Sequence, residues 1–147
     1  MSKISDLVAC ATKDELGSCD DYIIGKIFNA QAQSIAAITG VSVRGLNKVI
    51  TAYAVRHTIK FHGNDKSERE RNQIGVTNED FELIPEILLT PDVILKGKIE
   101  RGKQSILFIK KLKCYYHVAM IIEGKRGSEQ LTFRTMYKSN VNKKADV

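Results

Sequence analysis

The spacing of apolar residues changes once along the chain. Up to about Pro91 they recur mostly at three- and four-residue steps, the period of helices. From Val93 onward they alternate, the period of strands. In the helical half, Ile4, Leu7 and Val8 share one face. Asp20 or Asp21 can cap a second helix running through YIIGKIFNAQAQSIAAIT, with Ile23, Ile27, Ala30 and Ser34 or Ile35 as its stripe and Gly40 as its end. VSVR, Val41 to Arg44, alternates weakly and predicts a short strand. Leu46 to Gly63, LNKVITAYAVRHTIKFHG, predicts the longest amphipathic helix. Leu46, Val49, Ile50, Tyr53, Ala54, His57 and Phe61 form its apolar stripe, which places His57 against the core, and Gly63 is its C-cap.

NDKSERERNQIG then predicts a mobile loop, either a solvated connector or a lid whose Arg69 and Arg71 touch phosphates. TNEDFELIPEILLTPDVI predicts a helix capped by Thr77 or Asn78. Glu79 and Asp80 suit its positive end, Pro85 splits it, and Pro91 closes it. VILKGKIE, SILFIKKL, YYHVAMIIE and EQLTFRTMYK are four strand-like runs, separated by RGK, by the Lys113–Cys114 break and by GKRGS. Short connections between successive strands imply antiparallel pairing. The expected fold is therefore α+β, with N-terminal helices packed on a four-stranded antiparallel meander. Residues 1–40 form a helical segment of the same domain, 41–140 the α+β core, and 141–147 a frayed polar tail.

Composition narrows the functional classes. The chain has 147 residues, enough for one domain with a real core. Its 23 Lys and Arg outnumber its 17 Asp and Glu, giving a net charge of +6 that favours an anionic partner such as nucleic acid. No run is long enough to span a membrane and the N-terminus lacks a signal-peptide pattern, so a cytoplasmic location is expected. Cys10, Cys19 and Cys114 show no metal-ligand spacing and no disulfide framework; reduced thiols are expected.

The residues with useful chemistry converge on one edge of the expected sheet. In a regular last strand Leu131, Phe133, Thr135 and Tyr137 share the inner face, which turns polar at its C-terminal end. Ile106, Phe108 and Lys110 do the same in the second strand. Arg134 falls on the opposite face and joins Thr135 only through a bulge or twist. His117 reads as a strand residue without a role, and Lys125 and Arg126 as turn residues that contact phosphate at most. A His, a cation, a Thr and a Tyr at one place suit metal-free RNA cleavage. The 2′-hydroxyl must lose a proton, the leaving 5′-oxygen must gain one, and the charged intermediate needs support.

The order of these pieces resembles a known family. A helix ending in H-x-x-x-x-H-G, a charged loop, FELIPEILLTPDVI, SILFIKK and LTFRTMYK are similar to the phage-associated branch of the barnase/EndoU/colicin/RelE-like nucleases, over roughly Val41 to Lys138. The resemblance implies helices followed by an antiparallel sheet of about four strands and a metal-independent, cofactor-free endoribonuclease, often a toxin of mobile-element conflict. Residue by residue it implies His57 and His62 at the helix end, Thr135 and Tyr137 on the last strand, and a phosphate-binding cation at Lys110 or Lys111, with Arg134 as a further candidate. His57 is the preferred proton-transfer group, with His62 or Tyr137 as counterpart, because His62 lies roughly 140° further around the helix. The implied partners are RNA, with a tRNA as one candidate, and an inhibitor or immunity protein. A different reading of the same residues is a module that binds RNA or protein on a nuclease-like fold without catalysis. A purely structural phage protein with incidental charge is a third.

Overall fold

The computed structural model describes residues 4–13, 19–40, 42–64, 66, 73–100, 102–112, 115–123 and 130–139. The loop arginines Arg69 and Arg71, the Lys113–Cys114 and GKRGS breaks, and the tail from residue 140 lie outside the described residues. The fold is α+β, as expected, but the described sheet is mixed and has seven strands. Helices α1 (Ile4–Ala11), α2 (Asn29–Thr39), α3 (Ala52–His62) and α4 (Ile84–Leu89) accompany strands β1 (Tyr22–Lys26), β2 (Asn47–Ile50), β3 (Gln73–Ile74), β4 (Val93–Glu100), β5 (Lys103–Leu112), β6 (Tyr115–Glu123) and β7 (Gln130–Ser139).

The four predicted strands are present as β4 to β7, each antiparallel to the next. What the meander lacks is everything beyond β7. There β2 pairs parallel with the start of β7, β1 pairs antiparallel with β2, and β3 pairs with the end of β7. The helices cover one face. Ile106 and Phe108 of β5, Ala119 and Ile121 of β6, and Leu131, Phe133 and Met136 of β7 pack there against Leu7, Ile35, Val55, Phe81 and Ile87. Phe81 and Phe133 meet edge to face, with ring centroids 6.5 Å apart.

Two predicted helices begin as strands. Tyr22 to Lys26 is β1, because an aromatic followed by two isoleucines suits a pleated surface. Gly25, at φ 143, takes up the register shift opposite β2, a conformation open mainly to glycine. α2 starts only at Asn29 and ends at Gly40 as expected, with Gly40 in the left-handed region at φ 77. Likewise the strand expected at VSVR is displaced to Asn47–Ile50, inside the predicted helix. Lys48, Val49 and Ile50 are all buried, because β2 lies between β1 and β7. A strand covered on both faces has no alternation, so its apolar run mimics one side of a helix. Helix α3 follows once the Thr51 hydroxyl accepts from the Ala54 N–H at 3.2 Å.

The face that α3 buries differs from the predicted stripe. Ala52, Ala54, Val55 and Thr58 are inside, while Tyr53 is 61% and Phe61 47% exposed. Small side chains let the helix lie close along β7, in the gap between the stretches paired to β2 and β3, and the large rings stay outside. His57 goes with those rings, at 6.4 Å from Tyr53 and 4.6 Å from Phe61 between ring centroids. It does not point at the sheet. Further on, the capped segment is as expected. A 3₁₀ helix, Asn78–Leu83, opens with a Thr77–Asp80 capping box, and α4 follows with Pro85 in its first turn.

The cysteines also depart from expectation. Cys10 at the end of α1 is bonded to Cys19 ahead of β1. Nine residues of separation carry no sequence signal for this pairing. α1 also packs beside α3, where Arg56 Nε donates to the Ala11 carbonyl at 2.9 Å. Closing so short a loop is worth about 2–3 kcal/mol by the chain-entropy estimate. Urea unfolding with and without a thiol reductant should differ by about that amount. A difference near zero would show that α1 is held by packing alone. Among the described residues no helix is long and apolar enough to cross a membrane.

Candidate active site

A β-bulge in β7 divides the polar residues of the sheet between its two faces. Opposite β6, Phe133 pairs with Ile121 and Thr135 with Met120, so Arg134 faces no residue of β6. This extra residue inverts the alternation. Leu131 and Phe133 lie on the helix-covered face before the bulge, and Met136 and Lys138 are the buried residues after it. Thr135 and Tyr137 pass to the other side and are half-buried. The expectation that Leu131, Phe133, Thr135 and Tyr137 share one face fails for this reason. The bulge required for Arg134 is present, at Arg134 itself.

Helix α3 meets Thr135 and Tyr137 with two residues one turn apart. The Thr58 hydroxyl donates to the Ala54 carbonyl at 2.8 Å and lies 3.4 Å from the Thr135 hydroxyl. The His62 ring lies 5.8 Å from the Tyr137 ring between centroids, tilted by 35°. Helix α3 stays wound to its end. Gly63 keeps a helical φ of −89 and its N–H donates to the Ile59 carbonyl at 3.0 Å. The Val76 N–H donates to the His62 carbonyl at 2.7 Å, which ties the helix end to the chain ahead of the 3₁₀ helix. The structure thus reverses the order of the two histidines: His62 faces the polar end of the sheet and His57 faces away. Burial pushes the Tyr137 phenol above its usual pKa of 10.0, so it stays protonated through the neutral range.

The two lysines also separate. Lys111 sits opposite Tyr116, on the side of the sheet shared by Tyr137, with its ammonium 5.5 Å from the Tyr116 ring centroid. It lies two strands across and two residues along from Tyr137, about 12 Å away. Lys110 sits opposite His117 on the helix-covered side. There its ammonium donates to the Thr90 carbonyl at 2.6 Å and lies 3.1 Å from the Thr90 hydroxyl, which caps the C-terminus of α4. Lys110 therefore serves a helix end, and Lys111 is the cation on the Tyr137 side.

Directly beneath this site lies a buried charge cluster that sequence reasoning missed. Asp80 receives Lys138 Nζ at 2.8 Å on Oδ2 and His117 Nε2 at 3.5 Å on Oδ1. The Thr77 N–H donates to Asp80 Oδ2 at 2.7 Å and the Thr77 hydroxyl at 3.0 Å. Burial alone would raise the Asp80 carboxyl. The bonds from His117, Lys138 and Thr77 and the Lys138 charge outweigh it and hold the group far below the ordinary carboxylate range. His117 is 1% exposed, and its Nδ1 has no hydrogen-bond partner among the described residues. It is a structural member of an ion-paired group and not an idle strand residue. Asp80 was legible as a carboxylate at the positive end of a helix, but nothing marks Lys138 as inward-facing unless the bulge is known. A separate buried cation, Lys48, lies opposite Leu131 at the far end of β7.

One comparison with known proteins is positive. The family model described as phage-Barnase-EndoU-ColicinE5/D-RelE like nuclease3 matches residues 25–146. No curated protein and no solved structure matches the chain. The matched stretch contains β2 to β7, the α3–β7 contact and both polar clusters, and it covers well over half of the 147 residues. The chain belongs to the phage-Barnase-EndoU-ColicinE5/D-RelE like nuclease3 family.

Proposed function

We propose that this nuclease-family protein is an endoribonuclease that cuts RNA without a metal ion, with His62 and Tyr137 as its proton-transfer pair. The observation that carries this reading is the approach of the two rings, 5.8 Å between centroids, at the half-buried polar end of the sheet. One member is a histidine, which exchanges protons near neutral pH. The other is a phenol kept protonated by burial. In the reaction the 2′-oxygen attacks the adjacent phosphorus and its proton passes to His62. The bond from phosphorus to the 5′-oxygen breaks, and Tyr137 protonates that oxygen directly or through water. The products are a 2′,3′-cyclic phosphate and a 5′-hydroxyl. Thr135 donates a hydrogen bond to the phosphoryl oxygens, and Lys111 attracts the strand from the same side of the sheet. DNA lacks the attacking hydroxyl and remains intact. A role as a toxin of mobile-element conflict, restrained by an inhibitor, accords with this chemistry.

Incubation with total RNA in EDTA tests the reading. Wild type should release fragments ending in a 2′,3′-cyclic phosphate. Tyr137→Phe should cut about 10²-fold more slowly, the lower range for a lost acid or base. Cleavage that requires added Mg²⁺, or fragments without the cyclic phosphate, would overturn the mechanism. Salt-sensitive binding without any cleavage would support the binding-module reading instead.

A further inference from the structure

We propose that the outer side of α3 is a stacking platform for unpaired nucleotides of RNA, formed by Tyr53, His57 and Phe61 with Lys60. This rests on the ribonuclease reading and adds to it how the strand is held. The three rings stand one helical turn apart on one side, a row about 12 Å long. Adjacent centroids are 6.4 and 4.6 Å apart. The outer two are strongly exposed, Tyr53 at 61% and Phe61 at 47%. Single exposed apolar residues are ordinary, whereas a continuous row of rings with a cation beside it is not.

Lys60 supplies that cation, with its ammonium over the Phe61 ring, 5.4 Å from the centroid. The exposed Tyr53 ring offers a base a face to stack on, and the ammonium over Phe61 offers the phosphate a counter-charge. This pairing is how proteins hold single strands without reading their sequence. A duplex hides its base faces, so the occupant is single-stranded. The net charge of +6 supports a polyanionic occupant over an apolar protein surface. The placement also fits the proposed site, because His62 follows Phe61 directly and turns toward Tyr137. One helix then carries the strand on its outer side and meets the scissile phosphate at its end.

The test uses a fluorescent 2′-O-methyl oligonucleotide, which lacks the attacking hydroxyl and stays intact during binding. Affinity is measured for the full chain and for Tyr53→Ala/Phe61→Ala, with circular dichroism confirming the fold of each. The double variant should bind about 10- to 100-fold more weakly, while Tyr53→Phe/Phe61→Tyr should bind like wild type. A duplex of equal length should be insensitive to all of these substitutions. Unchanged single-strand affinity in the alanine variant would overturn the platform. So would an equal loss for duplex and single strand, or a loss confined to self-association at high protein concentration. Cleavage of ordinary RNA by the same wild-type preparation separates the two readings. Ring-dependent binding without cleavage keeps the platform and refutes the nuclease chemistry; cleavage with ring-independent binding does the reverse.

Discussion

His62→Ala should lower RNA cleavage by about 10²- to 10⁴-fold, the range for removal of a general acid or base. His57→Ala should fall well short of that loss. The contrast follows from the angular placement of α3. Ala54, Thr58 and His62 lie on successive turns of its sheet-facing flank, and Tyr53, His57 and Phe61 lie on successive turns of its outer flank. Single-turnover rates on one RNA, with both variants checked for an unchanged unfolding midpoint, measure the difference. Because His62 is only half-buried, its loss should cost less stability than loss of a core side chain. If His57→Ala abolishes cleavage while His62→Ala remains active, the proton-transfer pair named above is wrong.

Asp80→Ala should cost about 3–5 kcal/mol, because it leaves two buried basic side chains, His117 and Lys138, without their shared counter-charge. It also removes the bonds from Thr77 that start the 3₁₀ helix. Against a typical stability of about 5–15 kcal/mol, that is a large part of the whole. Urea unfolding at neutral pH reads the loss directly, and a change below about 1 kcal/mol would show that the cluster is solvated in solution. The pH dependence has a definite sign. The folded Asp80 carboxyl lies below its ordinary value of 3.8, so its contribution is complete above that value and is lost as pH falls through the folded one. Wild type should therefore lose stability steeply below about pH 4, and Asp80→Ala should lose less over the same interval.

The strands of the meander were legible because alternation survives wherever one face is covered and turns are short. The α4 region was legible because Thr77, Asp80 and Pro85 act through local backbone chemistry. β2 was not, because Lys48, Val49 and Ile50 are all buried and its partner Leu131 is more than eighty positions away. At the site, Thr135, Tyr137 and His62 could be named from the chain, but their arrangement could not. It depends on the bulge at Arg134, which transfers Thr135 and Tyr137 to the other face. It depends also on which side of α3 packs, and there the size of Tyr53 and Phe61 outweighed their hydrophobicity.

The pairing of β2 and α3 with β7 bears on when the proposed site is assembled. Thr58 and Thr135 are 77 positions apart, and β2 pairs with the first residues of β7. Contacts this distant in sequence form only after the intervening chain has been made and loop closure has been offset. A growing chain on the ribosome therefore carries His62 long before it has Tyr137, and the two meet only when the last strand of the sheet slots between β6 and β2. The proposed proton-transfer pair is therefore assembled only after β7 has been made and has paired.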